Sequence, residues 1–275
     1  MEAPSSICRV LGFVALLGGC DRVFGLEPVV ARDGSTGSDA DGGTGLCFEP
    51  RVQITGVTGF DPTLSADKRE LIFVDKPNGD YDLFIATRDD AQASTPFANE
   101  TAITQFNTTF DETDASLTED GLVVVFKSNR SGAARAYQSE RANRAVAFLT
   151  PVMVPGLEST AINGLDISPD GLTLYFDDNV SFAAAKRTSR AAPFGNIQRF
   201  SLDHAAYPSV SPDGLELYYN AAGIVRRTRA STSDPFDGGT AAVVDDGGSD
   251  ADLTSDGSTL IFRGGTTFFT RERCH

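Results

Sequence analysis

From residue 47 onward, short apolar runs rich in β-branched and aromatic residues alternate with turn-forming residues. One phrase recurs five times: Leu64-Ser-Ala-Asp67-Lys-Arg-Glu-Leu-Ile-Phe, Leu117-Thr-Glu-Asp120-Gly-Leu-Val-Val-Val-Phe, Ile167-Ser-Pro-Asp170-Gly-Leu-Thr-Leu-Tyr-Phe, Val210-Ser-Pro-Asp213-Gly-Leu-Glu-Leu-Tyr-Tyr and Leu253-Thr-Ser-Asp256-Gly-Ser-Thr-Leu-Ile-Phe. The aspartates stand 53, 50, 43 and 43 residues apart. Ser-Pro-Asp-Gly is turn chemistry, because Pro presets φ, Asp bonds nearby backbone and Gly tolerates positive φ. Leu-Tyr-Phe and Leu-Ile-Phe read as half-buried strands. A third strand follows a short turn, as in Asp82–Arg88 or Gly223–Arg229, and Pro96-Phe97, Pro193-Phe194 and Pro235-Phe236 introduce a fourth. No strong helical periodicity interrupts the pattern. Units of this length and strand content are propeller blades, and a lone four-stranded sheet cannot bury both faces, so the units pack around an axis.

The residue count closes the ring. After Asp256 only 19 residues remain, enough for two strands, and 20 residues lie from Cys47 up to Asp67. Phe48-Glu-Pro-Arg-Val-Gln-Ile-Thr-Gly is therefore predicted to supply the outer strand of the last blade. That makes a single all-β, five-bladed β-propeller over residues 47–275, with no exposed edge at the seam. Of four cysteines, two lie at positions 8 and 20. Cys47 precedes Phe48 where other repeats have Pro, and Cys274 comes where the chain next reaches that position. Circular alignment predicts a Cys47–Cys274 disulfide.

These phrases resemble the TolB-like β-propeller repeat, most closely at Ser168-Pro169-Asp170-Gly171 and Ser211-Pro212-Asp213-Gly214. The resemblance covers residues 48 to 275, with Lys68 departing where glycine is usual. It implies the fold and says little about activity, since the repeat serves both interaction proteins and propeller domains of peptidases. By analogy with the family's namesake, it implies a protein-binding role in the periplasm.

The segment before the repeats reads as an address. Arg9 precedes an apolar run from Val10 to Leu17, and Gly18, Gly19 and Cys20 follow, the order of a secretory signal. Leu17-Gly18-Gly19-Cys20 resembles a bacterial lipobox, in which the cysteine is lipidated; a plain signal peptide ending near a cysteine is the alternative. Residues 31–46 are mostly Gly, Ser, Thr and Asp, a flexible tether. The organisation expected is a signal over 1–19, a lipid anchor and tether over 20–46, and the propeller over 47–275. Export would place Cys47 and Cys274 in an oxidising compartment.

Charge and composition then narrow function. The chain of 275 residues carries 23 Lys plus Arg against 38 Asp plus Glu, a net charge of −15. That repels phosphate backbones and disfavours nucleic-acid binding or docking on an anionic membrane by charge alone. Only His204 and His275 are available for histidine chemistry, and Trp is absent. No nucleophile elbow, metal-ligand spacing or cofactor loop is present, so no cofactor and no metal is expected. Asp61, Asp114, Asp166, Asp250 and Asp252 precede the turns on the innermost strands and are expected near one channel mouth. There they would bind a cation or basic peptide, or cap strand ends. Asp67, Asp120, Asp170, Asp213 and Asp256 occur once per blade and read as structural. Arg88, Arg141, Arg190, Arg229 and Arg271 form a further periodic set, read as an anionic-ligand stripe or as ion-pair partners. The function expected is a monomeric, non-catalytic binding or scaffolding module for an envelope protein or peptide. The rival is a glycoside hydrolase using the channel-mouth aspartates, with Glu112 as the only axial glutamate of note.

Overall fold

The computed structural model describes residues 47–200, 202, 205–236, 239 and 241–274. The expected signal over residues 1–19, Cys20, the expected tether up to residue 46 and both histidines lie outside the described residues. Blade one is β2 (Phe60–Leu64), β3 (Glu70–Asp75), β4 (Asp82–Thr87) and β5 (Ala98–Ala102). Blade two is β6 (Glu112–Leu117), β7 (Val123–Ser128), β8 (Arg135–Glu140) and β9 (Val152–Met153). Blade three is β10 (Gly164–Ile167), β11 (Thr173–Asp177), β12 (Phe182–Lys186) and β13 (Gly195–Arg199). Blade four is β14 (Ala206–Val210), β15 (Glu216–Ala221), β16 (Gly223–Thr228) and β17 (Ala241–Asp245). Blade five is β18 (Ser249–Leu253), β19 (Thr259–Gly264) and β20 (Thr267–Glu272), completed by β1 (Val52–Gln53). Every pairing within a blade is antiparallel, and no helix occurs among the described residues.

The second strand of each blade is buried on both faces, which is why these strands read as nearly continuous apolar runs. Alternation still sorts the two faces. Leu71 and Phe73 pack with Ile261 and Phe268 of blade five, whereas Ile72 and Val74 pack with Leu117, Val124 and Phe126 of blade two. Each of the five apolar clusters spans two neighbouring blades. The core is thus a ring of interfaces, and no blade is complete without its neighbours.

The seam is made by β1 on β20, with Val52 opposite Thr270 and Gln53 opposite Phe269. Cys47 and Cys274 are joined there by a disulfide, with Cα atoms 5.3 Å apart. The Cys274 amide donates to the Cys47 carbonyl, so the backbone is paired beside the cross-link.

Candidate binding site at the channel mouth

Six residues before each repeat aspartate, the inner strands carry Asp61, Asp114, Gly164, Tyr207 and Asp250. Four of these five are not glycine yet have left-handed backbone, with φ of 43° at Asp61, 50° at Asp114, 53° at Tyr207 and 52° at Asp250. Such φ values are uncommon outside glycine, and for a bulky residue like tyrosine they mark strain. In the same four blades the inner pairing slips its register at this point, while β10 and β11 stay in step from Gly164 to Ile167. A Cβ on Gly164 would stand 2.9 Å from the Tyr207 backbone nitrogen, so the fifth position is kept clear for its neighbour. The bulges turn three carboxyls and one phenol toward the end of the channel.

Counting seven residues onward from each repeat aspartate gives the second-strand positions Val74, Lys127, Asp177, Asn220 and Arg263. Three of them hold the mouth carboxylates. Lys127 Nζ lies 2.5 Å from Asp114 Oδ2. Arg263 Nε donates to Asp250 Oδ2, and Asn220 Nδ2 donates to Asp250 Oδ1 at 2.8 Å. The Asp250 amide returns to Asn220 Oδ1 at 2.9 Å. Sequence reasoning missed Lys127, Asn220 and Arg263; the repeat alignment, carried one strand further, would have found them.

The electrostatics separate the three carboxyls. Burial, and then the charges of Asp114 and Asp250, push the Asp61 pKa well above its usual range. Asp61 also lies within hydrogen-bonding reach of Asp250, so it favours a protonated carboxyl that donates. Burial raises Asp114 too, with Lys127 opposing. Burial draws the Lys127 ammonium down, but Asp114 outweighs it and the net shift is upward. Burial with Asp114 and Asp61 lifts the Tyr207 phenol to about 12. Lys127 thus faces Asp114 and Arg263 faces Asp250, and Asp61 beside them is the carboxyl held furthest toward its neutral form.

Asp166 and Asp252 lie two residues further along the inner strands, and Asp252 still lines the same narrow cavity as Asp61, Asp114 and Asp250. Asp166 and Asp252 occupy the positions held in other blades by Thr63, Ser116 and Ser209. Thr63 Oγ1 donates to Asp252 at 2.6 Å and Ser209 Oγ at 3.1 Å. Ser116 Oγ donates to Asp166 at 2.8 Å and the Val210 amide at 2.7 Å. Burial raises Asp252 to about 6, and burial with the Asp252 charge raises Asp166 well above its usual range. These bonds tie inner strands of neighbouring blades together, leaving both carboxylates engaged. Glu112 is fully buried and bound by Thr108, Ser128 and Arg130.

Over the mouth sits a pocket of about 330 Å³, walled by Phe60, Tyr81 and Tyr207 with Lys127 and Arg263 at its edge. The channel below narrows to a cavity of about 30 Å³ lined by Asp61, Asp114, Asp250 and Asp252. Among the described residues, no group of three His, Cys, Asp or Glu is placed to hold a metal ion.

At the opposite end of the inner strands the five turns share one geometry. Ser65, Thr118, Ser168, Ser211 and Thr254 donate to Asp67, Asp120, Asp170, Asp213 and Asp256 at 2.6–2.7 Å. The backbone amide two residues after each aspartate donates to the same carboxylate. Glycine follows in four blades at φ of 67–76°, and Lys68 takes φ 60° in the first. The arginine at the end of the third strand in blade three is Arg187, which directly follows Lys186 at the end of β12, whereas the expected Arg190 lies three residues on and reaches Asp120. Arg88, Arg141, Arg187 and Arg229 each donate Nε to the carbonyl of Lys68, Gly121, Gly171 or Gly214. Each lies over the phenylalanine that opens its outer strand, at 4.3–4.7 Å from the ring centre. Arg271 donates to the carbonyls of Glu49, Val244 and Phe48 at the seam. The set is a row of strand clamps.

No protein-family model matches the chain, and no sequence among the curated proteins matches it. Solved structures of similar fold include a putative TolB from Agrobacterium tumefaciens, at 15% identity over 81% of this chain and 78% of that one, with a TM-score of 0.46. The α-L-arabinofuranosidase PaAbf62A of Podospora anserina is 15% identical over 84% of this chain and 95% of that one, with a TM-score of 0.49. The gluconolactonase XC5397 of Xanthomonas campestris is 14% identical over 78% and 71%, with a TM-score of 0.46. TolB-like proteins and enzymes thus stand side by side among the solved structures of similar fold.

Proposed function

We propose that the protein is a non-catalytic recognition module of the bacterial cell envelope, binding a polar segment of a partner protein at the channel mouth. The observation that carries this is the matched network of Asp61, Asp114 and Asp250 with Lys127 and Arg263 under an aromatic-walled pocket. Its polar groups are positioned by strained backbone before any ligand arrives, which lowers the ordering cost of binding. Asp114 and Asp250 are already paired with Lys127 and Arg263, so a free cation gains little at either. The site favours a ligand with both donors and acceptors and an apolar edge for Phe60, Tyr81 and Tyr207. The envelope location rests on the lipobox-like Cys20 segment and on the Cys47–Cys274 disulfide, which suits an oxidising compartment.

A second reading is a glycan hydrolase, and the raised pKa of Asp61 favours it, since a protonated acid beside carboxylates is what glycosidic cleavage uses. The two readings part in one experiment. Envelope extract is passed over the immobilised protein and over its Lys127→Ala/Arg263→Ala variant. A partner captured by the native protein and lost by the variant supports recognition at the mouth. A partner held equally by both overturns it. Turnover on a glycan panel that Asp61→Asn abolishes replaces the recognition reading with the hydrolase.

A further inference from the structure

The turn end is less uniform between blades than within them. Three residues after the third-strand arginine, blade two carries Arg144 and blade three carries Arg190. Each crosses to the preceding blade's repeat aspartate with the same geometry. Arg144 Nη1 lies 2.6 Å from Asp67 Oδ2, and Arg190 Nη1 lies 2.6 Å from Asp120 Oδ2. Blade four carries Thr232 at this position, and a Cβ built on Gly214 meets its methyl, as those built on Gly121 and Gly171 meet Arg144 and Arg190. Asp170 then keeps its Oδ1 bonds to Ser168 and Leu172, while Oδ2 accepts no bond among the described residues.

Where the guanidinium is missing, a cleft of about 510 Å³ opens between blades three and four. Tyr175 and Phe200 give it an aromatic wall, and Glu119, Asp170, Asp213 and Asp256 give it an acidic rim. Arg229 in the cleft is already committed to the carbonyls of Gly214 and Asp234, to the Phe236 ring and, more distantly, to Phe200 at 5.7 Å and the Tyr175 hydroxyl, so an incoming group meets the outer edge of that wall. Lys186 is the one further cation of the lining, against four carboxylates.

The geometry points to a site for an arginine side chain of a partner polypeptide in this cleft, with Asp170 accepting the guanidinium. The protein supplies its own template: of the five blade junctions, two are filled by an arginine from the same chain, and the one between blades three and four has the acceptor and a cleft without the donor. The planar fork suits both the carboxylate and the aromatic wall, which an ammonium matches less well. An exposed arginine–aspartate pair alone is weak, so the arginine has to arrive on a chain that adds contacts of its own. The acidic rim also repels the free amino acid's carboxylate. This site lies at the opposite end of the inner strands from the channel mouth and stands independently of the function proposed there.

The test uses the full chain labelled with ¹⁵N and titrated with N-acetyl-L-arginine methylamide. The amide signals of Leu172 and Thr232 are expected to shift and saturate. Asp170→Asn should weaken the effect at least tenfold, and Thr232→Arg, which refills the cleft from within, should abolish it. Asp67→Asn, whose carboxylate Arg144 already occupies at another blade junction, should leave it unchanged. The acetyl-lysine methylamide counterpart should bind at least fivefold more weakly, and free arginine more weakly than the blocked form. No shift with the native protein, unchanged shifts in Thr232→Arg, or equal binding of the lysine probe would each overturn the proposal.

Discussion

The two ends of the inner strands differ in how faithfully they repeat. At the turn end, five Ser/Thr–Asp pairs and five following amides superimpose in kind, and even Lys68 adopts the left-handed backbone that glycine holds elsewhere. At the mouth end the equivalent positions read Asp, Asp, Gly, Tyr and Asp, and their second-strand partners read Val, Lys, Asp, Asn and Arg. A feature needed by every blade is repeated in every blade. A feature confined to one place on the axis breaks the repeat. Strain follows the same division: the turns place glycine where φ is positive, whereas the mouth places aspartate and tyrosine there.

The largest test concerns what holds the ring at the turn end. The Cys47–Cys274 bridge spans a sequence separation of 227 residues. Replacing both cysteines by serine should lower the unfolding free energy by up to about 5 kcal/mol in the chain-entropy picture, read by denaturant titration. The mouth should keep its ligand in the variant under native conditions. If ligand binding and stability fall together before unfolding begins, the two ends are not separable as described.

Between them lies the layer of Asp166 and Asp252. Asp166→Ala should cost about 2–3 kcal/mol, because the buried Ser116 hydroxyl and the Val210 amide lose their acceptor. Asp61→Asn should cost less than about 1 kcal/mol, since it replaces a carboxyl that favours its neutral form with a neutral amide. Equal losses for the two variants would show that the mouth, too, is scaffold.

The same layer sets the pH dependence. Asp252 is raised from 3.8 to about 6, so the folded chain holds this proton more tightly than the unfolded one. Stability from this group is greatest below about pH 4 and is lost as pH rises through about 6, a difference of about 3 kcal/mol for so buried a carboxyl. Asp67, Asp120 and Asp256 are lowered, for all three by hydroxyl and backbone donors, opposed by burial, with an arginine adding for Asp67 and Asp120. Their contribution is present above about 3.8 and lost as pH falls below it. Unfolding midpoints should therefore peak near about pH 4 and fall between about pH 4 and 6, and Asp252→Asn should flatten that fall. A midpoint that rises steadily from pH 5 to 7 in the native protein contradicts the assignment.

The turn end was legible in the sequence because its chemistry is local. Ser168, Asp170 and Gly171 interact within one turn, so adjacency in the chain is adjacency in space. The seam was legible for a different reason: residue counts on either side of it leave room for one outer strand, and Cys47 and Cys274 fall at the join. The mouth was legible only as a set of candidates. Whether an inner-strand aspartate faces the pocket depends on a register slip in β2, β6, β14 and β18, which Phe60-Asp61 or Thr113-Asp114 does not announce. Asp166 and Asp252 sit two residues further along the inner strands. The cations that neutralise the mouth come from neighbouring strands, where Lys127 and Arg263 look like ordinary ends of apolar runs.

The smallest expected effect is at the one turn that departs from its copies. Lys68 stands at φ 60° where the other four turns have glycine. A left-handed backbone costs a residue with a Cβ about 1–2 kcal/mol, and glycine would relieve it. Lys68→Gly also removes the ion pair of its ammonium with Glu272, at 2.5 Å and partly exposed, which is worth less than about 1 kcal/mol, and adds the backbone entropy that glycine loses on folding. The terms nearly offset, and a net gain of about 0.5 kcal/mol or less is expected, measured as a small upward shift of the denaturation midpoint. Gly171→Ala should move the other way by about 1 kcal/mol, because the added Cβ meets Arg190 Nε at 3.0 Å and Thr118 at 3.2 Å. If Lys68→Gly destabilises as strongly as Gly171→Ala, the lysine is held by its partners rather than tolerated by them. Blade one's turn would then be a specialised element and not a weaker copy of the other four.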